Sequence, residues 1–450
     1  MYKYIYMSIL STLSSGDERT IKVKKNILAS VLIKGVDFLV YLLLVPVTLG
    51  YLNQYEYGIW LTLSSILMWI NSFDIGLGNG LRNKLSEALA QNDKKLCKSY
   101  VSTTLFMLCI LMLILMIIGG FLFPILDWYS ILGASPDKVQ RLNQVAFISF
   151  SLFCLNFVLK FIGSIYLALQ LPAINNLFTC LGHTLSLLLI FFLTKCTEGS
   201  LLYVAVAYSI APPLIYLLSI PFTFGKKYGF MSPSIKSVKM KYLNSLFSMS
   251  SQFFVIQLGG LLLFSTANLI ISHLFGPESV TPYNISYRFF SLIPVAMTLV
   301  ISPMWSATTD AYVRGDMDWI RKAMKRVQQI LVGVLALLVI MVLISPFVYK
   351  VWIGDGLIIP FEMTIYMAVY IYILVWSLSY SNFLNGMGKL RIQAINTLIV
   401  GLLFVPVCFF LGRRFDIYGV VLALCLANLS GAVINTIQFY KIVGGLSIRY

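Results

Sequence analysis

The sequence has 450 residues, of which 59% are hydrophobic and 11% are charged, and its mean hydropathy is +0.87. Soluble domains carry roughly 25% charged residues, and a soluble globule of this composition would expose large apolar patches. The composition therefore excludes an ordinary soluble protein and predicts an integral membrane protein, whose formal net charge of +16 must be explained by where the cations lie.

The N-terminal element, residues 1–25, is predicted to be an uncleaved cytoplasmic tail. It contains one short apolar run, Ile5–Leu13, followed by the polar and basic sequence GDERTIKVKK. A secretory signal would end in a small-residue cleavage site before a polar mature domain, and this segment lacks one. Met7 is an alternative translation start, because little before it constrains the fold.

Twelve apolar stretches follow the tail, each long enough for a membrane-spanning helix of about 20 residues. The stretches do not alternate apolar and polar residues as barrel strands do, and only helices or closed barrels satisfy the backbone in lipid. The prediction is an all-α polytopic membrane protein with twelve transmembrane helices, at 26–52, 56–76, 100–126, 143–169, 174–194, 201–224, 245–275, 283–307, 327–349, 362–385, 392–412 and 418–440.

Lysine and arginine residues are distributed unequally between the two sides of this predicted bundle. With the N-terminus inside, the inner segments hold 24 of them and the outer segments hold 6. Because the cytoplasmic loops of membrane proteins carry an excess of Lys and Arg, both termini are predicted to be cytoplasmic. The same bias accounts for the positive net charge, so no nucleic-acid partner is expected.

A weak internal repeat indicates that the chain has two halves. The tripeptide AIN at 173–175 recurs at 394–396, and Leu52 and Leu274 stand at nearly the same offset. Two lobes of six helices would enclose a cavity between them, an arrangement typical of transporters. The loops are too short for the extramembrane domain of a typical membrane-bound enzyme. The predicted divisions are the tail 1–25, an N-lobe 26–224, a cytoplasmic linker 225–244, a C-lobe 245–440 and a cytoplasmic tail 441–450.

Three cations, Lys34, Lys160 and Arg288, fall inside predicted spans. A charge at mid-span costs about 2.5–3.5 kcal/mol on insertion scales, so these positions are candidates for function. Lys160 is nine residues from the inner end of its span, a depth of roughly 14 Å that is too great for easy snorkelling. Arg288 lies nearer the outer end of its span, where snorkelling to the interface is the alternative interpretation.

Asp37 is three residues from Lys34 in the first span, so the two side chains share a helix face. One interpretation is a cation that meets a pyrophosphate beside a carboxylate that exchanges H⁺ or Na⁺. The other is a neutral pair that only lowers the cost of insertion. If Lys34, Lys160 and Arg288 all face a cavity, their charge of +3 against the one carboxylate of Asp37 favours an anionic head group over a cationic drug.

Asp74 and Arg82 bracket Gly76, Gly78 and Gly80 at the inner end of the second span. A glycine-rich run cradles phosphate when a strand precedes it and a helix follows it, but here a membrane helix precedes it. Asp74 and Arg82 are therefore predicted to belong to a flexible inner gate or to a place of close helix packing. Nucleotide binding is not expected.

The seven cysteines form no CxxC pair and lie in or beside apolar segments, as do the two histidines, His183 and His273. Cysteines in such a context are typical of apolar packing rather than of a metal site. No cofactor is therefore expected, and H⁺ or Na⁺ is the candidate coupling ion.

Two segments carry a resemblance to a known family. The sequence PVTLGYLNQYEYG at Pro46–Gly58, together with FDIGLGNGLRN at Phe73–Asn83, resembles the start of bacterial Wzx-type polysaccharide repeat-unit flippases. These proteins share a superfamily with the MATE multidrug exporters and the lipid II flippases. A second match, Tyr287-Arg288 followed by Pro294 and Pro303, resembles the arginine-bearing eighth helix of the lipid II flippases, which have fourteen spans rather than twelve.

The resemblance implies a MATE-like fold of two pseudo-symmetric six-helix lobes in the bacterial inner membrane. It implies export of an undecaprenyl-pyrophosphate-linked oligosaccharide by alternating access, with a polysaccharide polymerase and a chain-length regulator as protein partners. The candidate site residues are then Lys34, Lys160 and Arg288 for the pyrophosphate, Asp37 for ion coupling, and Asp74 and Arg82 for the inner gate.

Two alternatives to a flippase remain open from the sequence. One is an H⁺- or Na⁺-coupled multidrug or small-solute exporter of the same architecture. The other is an enzyme of glycan assembly, which the short outer loops disfavour. The driving force is also open, because the gradient of the lipid-linked substrate is an alternative to ion exchange at Asp37.

Overall fold

The computed structural model describes residues 18–72, 77–169, 171–225, 228–243, 251–354 and 356–444. Every regular element within these ranges is a helix, which confirms the all-α prediction. Eight helical segments within these ranges are long and apolar enough to cross a bilayer, and one of them, Leu142–Ala168, is formed by two consecutive helices together. In chain order the α-helices are α1 Glu18–Tyr51, α2 Gln54–Leu67, α3 Leu77–Ala90, α4 Lys94–Ile125, α5 Trp128–Leu132, α6 Leu142–Leu159, α7 Phe161–Ala168, α8 Pro172–Cys196, α9 Leu201–Thr223, α10 Ser251–Phe275, α11 Pro277–Phe290, α12 Leu292–Val313, α13 Met317–Ile353, α14 Phe361–Gly386 and α15 Arg391–Val443.

Some of the predicted spans are divided in the structure. The stretch 143–169 is interrupted at Lys160, between α6 and α7, and the stretch 56–76 contains α2 followed by a 3₁₀ turn, Met68–Ser72. The start of the predicted seventh span, residues 245–250, lies outside the described residues.

The stretch 283–307 is divided at Ser291, where α11 ends and α12 begins. Pro294 explains why one continuous helix does not form. It has no N–H to bond the carbonyl of Phe290 four residues earlier, but a proline is tolerated in the first turn of a new helix.

The chain forms two compact units. The first unit contains the chain through Tyr51 with Ile70–Leu126 and Asn143–Met249. In it α1 packs along α8, α8 packs against α9, and α3 contacts α4 and α7. A glycine permits the α8–α9 contact, because a Cβ atom on Gly182 would lie 3.3 Å from the Cα atom of Pro212.

A segment of three 3₁₀ turns, Gly229–Met231, Ile235–Ser237 and Met240–Tyr242, also belongs to the first unit. It is attached to α4 by its backbone. The Ser234 N–H donates to the Ser102 hydroxyl at 3.0 Å, and the Lys239 N–H donates to the Thr103 hydroxyl at 3.0 Å.

The second unit contains Leu52–Trp69, Asp127–Leu142 and the chain from Ser250 onward. In it α2 packs against α11, and α15 packs against α10 and α14. A capping box starts α2: the Asn53 side chain accepts the Glu56 N–H, and the Glu56 side chain accepts the Asn53 N–H. The cap fixes the start of α2, and Gly58 in the next turn is the residue at which α2 approaches α11.

Replacing Gly58 with alanine is expected to destabilise the second unit by about 1–3 kcal/mol, the usual cost of overpacking. A Cβ atom at Gly58 would lie 1.7 Å from the backbone oxygen of Pro277, and no side-chain rotation relieves a backbone clash. The thermal unfolding temperature in detergent measures the effect. The matched control is Gly120→Ala, since a Cβ atom at Gly120 meets nothing within 4 Å. Equal unfolding temperatures for the two variants would contradict the close contact.

The longest helix, α15, has 53 residues and contains a sharp break. Phe415 and Asp416 leave the helical conformation, and Asp416 has φ 53° and ψ −149°, a region in which residues other than glycine are strained. The two arms meet closely after the break, because a Cβ atom on Gly419 would lie 2.0 Å from the backbone oxygen of Leu411. The break falls between the last two predicted spans.

Candidate functional site

The charged residues predicted inside the spans are divided between the units. Lys34, Asp37 and Lys160 belong to the first unit, on α1 and at the α6–α7 junction, and Arg288 belongs to the second unit, on α11. The surroundings of each residue are therefore described within its own unit.

Asp37 forms a hydrogen-bonded pair with a histidine on a neighbouring helix. Its Oδ1 atom lies 2.7 Å from the Nδ1 atom of His183 on α8, the helix that packs along α1. The two side chains are 23% and 31% exposed, respectively, so the pair is only partly buried. The Tyr41 ring lies beside it, 5.8 Å from the His183 ring between centroids. A carboxylate and an imidazole at this distance can share a proton, and they form an ion pair when the imidazole is protonated.

Lys34 does not take part in this pair. Its side chain is exposed, and no ion pair joins it to Asp37 among the described residues. Sequence spacing identified Asp37 and Lys34 as neighbours but missed His183 as the partner. One signal for His183 was present, because it is an ionisable residue inside the predicted span 174–194, where such residues mark function by default.

Lys160 occupies the junction between α6 and α7, within the membrane-spanning segment Leu142–Ala168. Its backbone N–H donates to the Asn156 carbonyl, and its own carbonyl accepts the Gly163 N–H three residues on. The Lys160 side chain is half-buried, and its Nζ atom lies 5.8 Å from the centroid of the Phe157 ring. This distance is within the range of a cation–π interaction.

Arg288 lies in the last turn of α11 and is only 6% exposed. Snorkelling requires the guanidinium to reach the protein surface, so this burial argues against the snorkelling interpretation.

The rest of α11 is unusually polar for a buried helix. The Asn284 amide donates to the Asn268 Oδ1 atom at 2.9 Å, and the Tyr349 hydroxyl donates to the Ser286 hydroxyl at 3.4 Å. Buried polar groups are stable only when they are hydrogen-bonded. Arg288 therefore lies on a helix that carries other buried, hydrogen-bonded polar side chains.

The two residues predicted for the inner gate are only partly accounted for. Arg82 is exposed on α3, and Asp74 lies outside the described residues. Next to Arg82 on the same helix, Lys84 pairs with Glu87 at 2.8 Å, a contact that raises the pKa of Lys84. The gate therefore stays a prediction.

Comparison with known proteins gives matches over most of the chain. The polysaccharide biosynthesis protein family matches residues 23–308. Among curated proteins, the chain is 24% identical to a "Putative O-antigen transporter" of Salmonella typhi, over 81% of this chain and 82% of that protein. It is 22% identical to a "Putative O-antigen export protein" of Yersinia pseudotuberculosis, over 77% of this chain and 79% of that protein.

Solved structures of multidrug resistance MATE family transporters of the MOP superfamily also match. An inward-facing conformation has a TM-score of 0.76 at 14% identity and covers 93% of this chain and 98% of that one. An outward-facing conformation has a TM-score of 0.68 at 16% identity and covers 97% and 98%. At these identities the structural likeness shows a shared fold.

Proposed function

The chain belongs to the polysaccharide biosynthesis protein family and is a multi-pass membrane protein with a MATE-like fold. From this premise we propose that it is a flippase that moves an undecaprenyl-pyrophosphate-linked oligosaccharide repeat unit from the cytoplasmic to the periplasmic leaflet by alternating access. The observation that carries the proposal is the likeness to O-antigen transporters over about four fifths of both chains. Those relatives are named as transporters and export proteins, which supports transport rather than catalysis.

The charges inside the spans support an anionic substrate. Lys34, Lys160 and Arg288 supply cations at positions where a cation is costly. A guanidinium binds two phosphate oxygens at once, whereas an ammonium acts as a point charge. The carboxylate of Asp37 is already paired with His183, so it is less available to a cationic drug. In this proposal Lys34, Lys160 and Arg288 bind the pyrophosphate during transport.

The Asp37–His183 pair is the proposed site of ion coupling. Protonation converts a neutral imidazole beside a carboxylate into an ion pair, so one proton changes the charge of the α1–α8 contact. Both side chains are partly exposed, so the pair is not sealed off by the helix packing. Two alternatives compete with proton coupling. In one the Asp37 carboxylate binds a sodium ion, and in the other the substrate gradient alone drives transport.

Twelve crossings with cytoplasmic termini form the proposed topology. A straight helix of 53 residues would be about 80 Å long, far more than the hydrocarbon core of about 30 Å. The break at Phe415–Asp416 therefore supports two crossings within α15. The excess of Lys and Arg on one side supports the orientation, and Asp74 and Arg82 would then lie at the cytoplasmic gate.

Deletion of the gene is expected to remove the surface polysaccharide and to leave the lipid-linked repeat unit in the cytoplasmic leaflet. The reason is that assembly beyond the repeat unit, by a polymerase and a chain-length regulator, would take place on the periplasmic side. Immunoblotting measures the surface glycan. Binding of a membrane-impermeant lectin measures how much of the lipid-linked sugar has reached the periplasmic leaflet. Intact glycan with altered drug susceptibility would instead indicate the multidrug exporter.

A further inference from the structure

Arg413 and Arg414 stand out as an adjacent pair of cations on the predicted periplasmic side. In the predicted topology 6 of the loop Lys and Arg residues lie on that side, and 24 lie on the other. Both side chains are exposed, and neither forms an ion pair or hydrogen bond with another described residue. In a chain predicted to keep cations away from this side, two adjacent guanidinium groups with no partner among the described residues are available to an anionic ligand.

The two arginines stand beside two phenylalanines on α15. Phe409, Phe410, Arg413 and Arg414 line an open hollow of about 530 Å³ on one face of α15. Phe410 is 66% exposed, and residues four apart on a helix stack above one another. Arg413 and Arg414 therefore stand one turn beyond Phe409 and Phe410 on the same face of α15. A ligand that fits both layers has an anionic head and an apolar tail.

The backbone holds this face in a defined place. Arg413 and Arg414 directly precede the break at Phe415–Asp416. Gly419, which follows the break, packs against the backbone of Leu411, which precedes it. A strained non-glycine residue persists only where its surroundings determine the conformation. The turn is therefore rigid, and a rigid turn lowers the entropic cost of bringing two guanidinium groups to one ligand.

We infer that Arg413 and Arg414, with Phe409 and Phe410, form a release site for the isoprenyl pyrophosphate head of the lipid-linked repeat unit. The inference rests on the proposed function. Two adjacent guanidinium groups match two linked phosphoryl groups in number and charge, because each fork binds phosphate oxygens in pairs. The two phenylalanines contact the first isoprene units of the tail. The site holds the head group after it has crossed and before the lipid leaves.

Photolabelling of the purified, full-length protein in nanodiscs tests the site without requiring transport. The probe is a farnesyl pyrophosphate with a diazirine in its first isoprene unit, and the labelled peptide is identified by mass spectrometry. Labelling of the peptide that contains residues 405–412 is expected to fall at least tenfold in the R413Q/R414Q variant. The R413K/R414K variant should retain part of it, since charge remains but the fork is lost. The matched control is Lys195→Gln, a single cation on the same predicted side that lies 5.8 Å from the Phe191 ring centroid.

Competition identifies the source of the anionic head. Unlabelled farnesyl pyrophosphate should displace the probe at least tenfold better than phosphatidylglycerol or inorganic pyrophosphate does. Equal displacement by phosphatidylglycerol would overturn the inference in favour of an ordinary phospholipid contact, and unchanged labelling in R413Q/R414Q would overturn it outright. The proposed function is tested separately by measuring glycan export by the unaltered protein. If the unaltered protein does not export glycan, the proposed function fails whatever the labelling shows.

Discussion

Glycan export is expected to fall about 100-fold when Arg288 is replaced by alanine and about tenfold when it is replaced by lysine. Each charge-assisted hydrogen bond contributes roughly 1.5–3 kcal/mol, so the loss of a two-bond fork corresponds to two orders of magnitude or more. Lysine retains the charge and loses the bidentate geometry. The rate of appearance of the lipid-linked repeat unit in the periplasmic leaflet measures the effect.

Burial of Arg288 makes a folding control necessary. The amount of each variant in the membrane and its unfolding temperature in detergent show whether the second unit still forms. Arg391→Ala is the matched control, because Arg391 is an exposed arginine of the same unit at the start of α15. If Arg288→Ala folds and exports glycan at the normal rate, Arg288 has no part in binding the pyrophosphate.

Transport is expected to lose its response to an imposed pH gradient when Asp37 is replaced by asparagine. Asparagine can keep a hydrogen bond to His183 but carries no negative charge, so a protonated imidazole at His183 no longer forms an ion pair across the α1–α8 contact. Reconstituted liposomes with a pH gradient, a sodium gradient or neither provide the measurement. A gradient-dependent rate should drop about tenfold to the gradient-independent level.

Two further variants separate coupling from packing at this site. His183→Gln is expected to reduce the pH response while it preserves the α1–α8 contact. Asp318→Asn is the matched control, because Asp318 pairs with Arg321 at 2.8 Å on an exposed surface. A full pH response in Asp37→Asn would remove Asp37 from the coupling mechanism, and a response only to sodium in the unaltered protein would identify the other ion.

The pair Asp37–His183 shows where prediction from sequence ended. Helical spacing gives the neighbours of Asp37 on its own helix, and it therefore pointed to Lys34 three residues away. The partner actually lies 146 residues along the chain, on α8. Only the packing of α1 along α8 brings the two side chains to 2.7 Å, and no periodicity within one segment contains that information.

Arg288 is a second residue whose surroundings could not be predicted from the sequence. Its distance from the end of a predicted span left snorkelling open, because span ends were read from apolar runs alone. In the structure the helix begins earlier, at Pro277, and packs closely against α2 through Gly58. This packing buries a residue that the hydropathy pattern had placed near an interface.

The sequence by itself determined the environment and the class of the fold. A chain with this many apolar residues must lie in lipid, and continuous apolar runs of about 20 residues without alternation form helices there, so composition and run length were sufficient for both conclusions. Even the break in α15 was foreseen, because Arg413 and Arg414 interrupt the apolar run. Tertiary structure alone decided which polar side chains meet and which are buried. Those contacts depend on pairs of helices far apart in the chain, whose approach is set by small residues such as Gly58 and Gly182 and by the backbone opposite them.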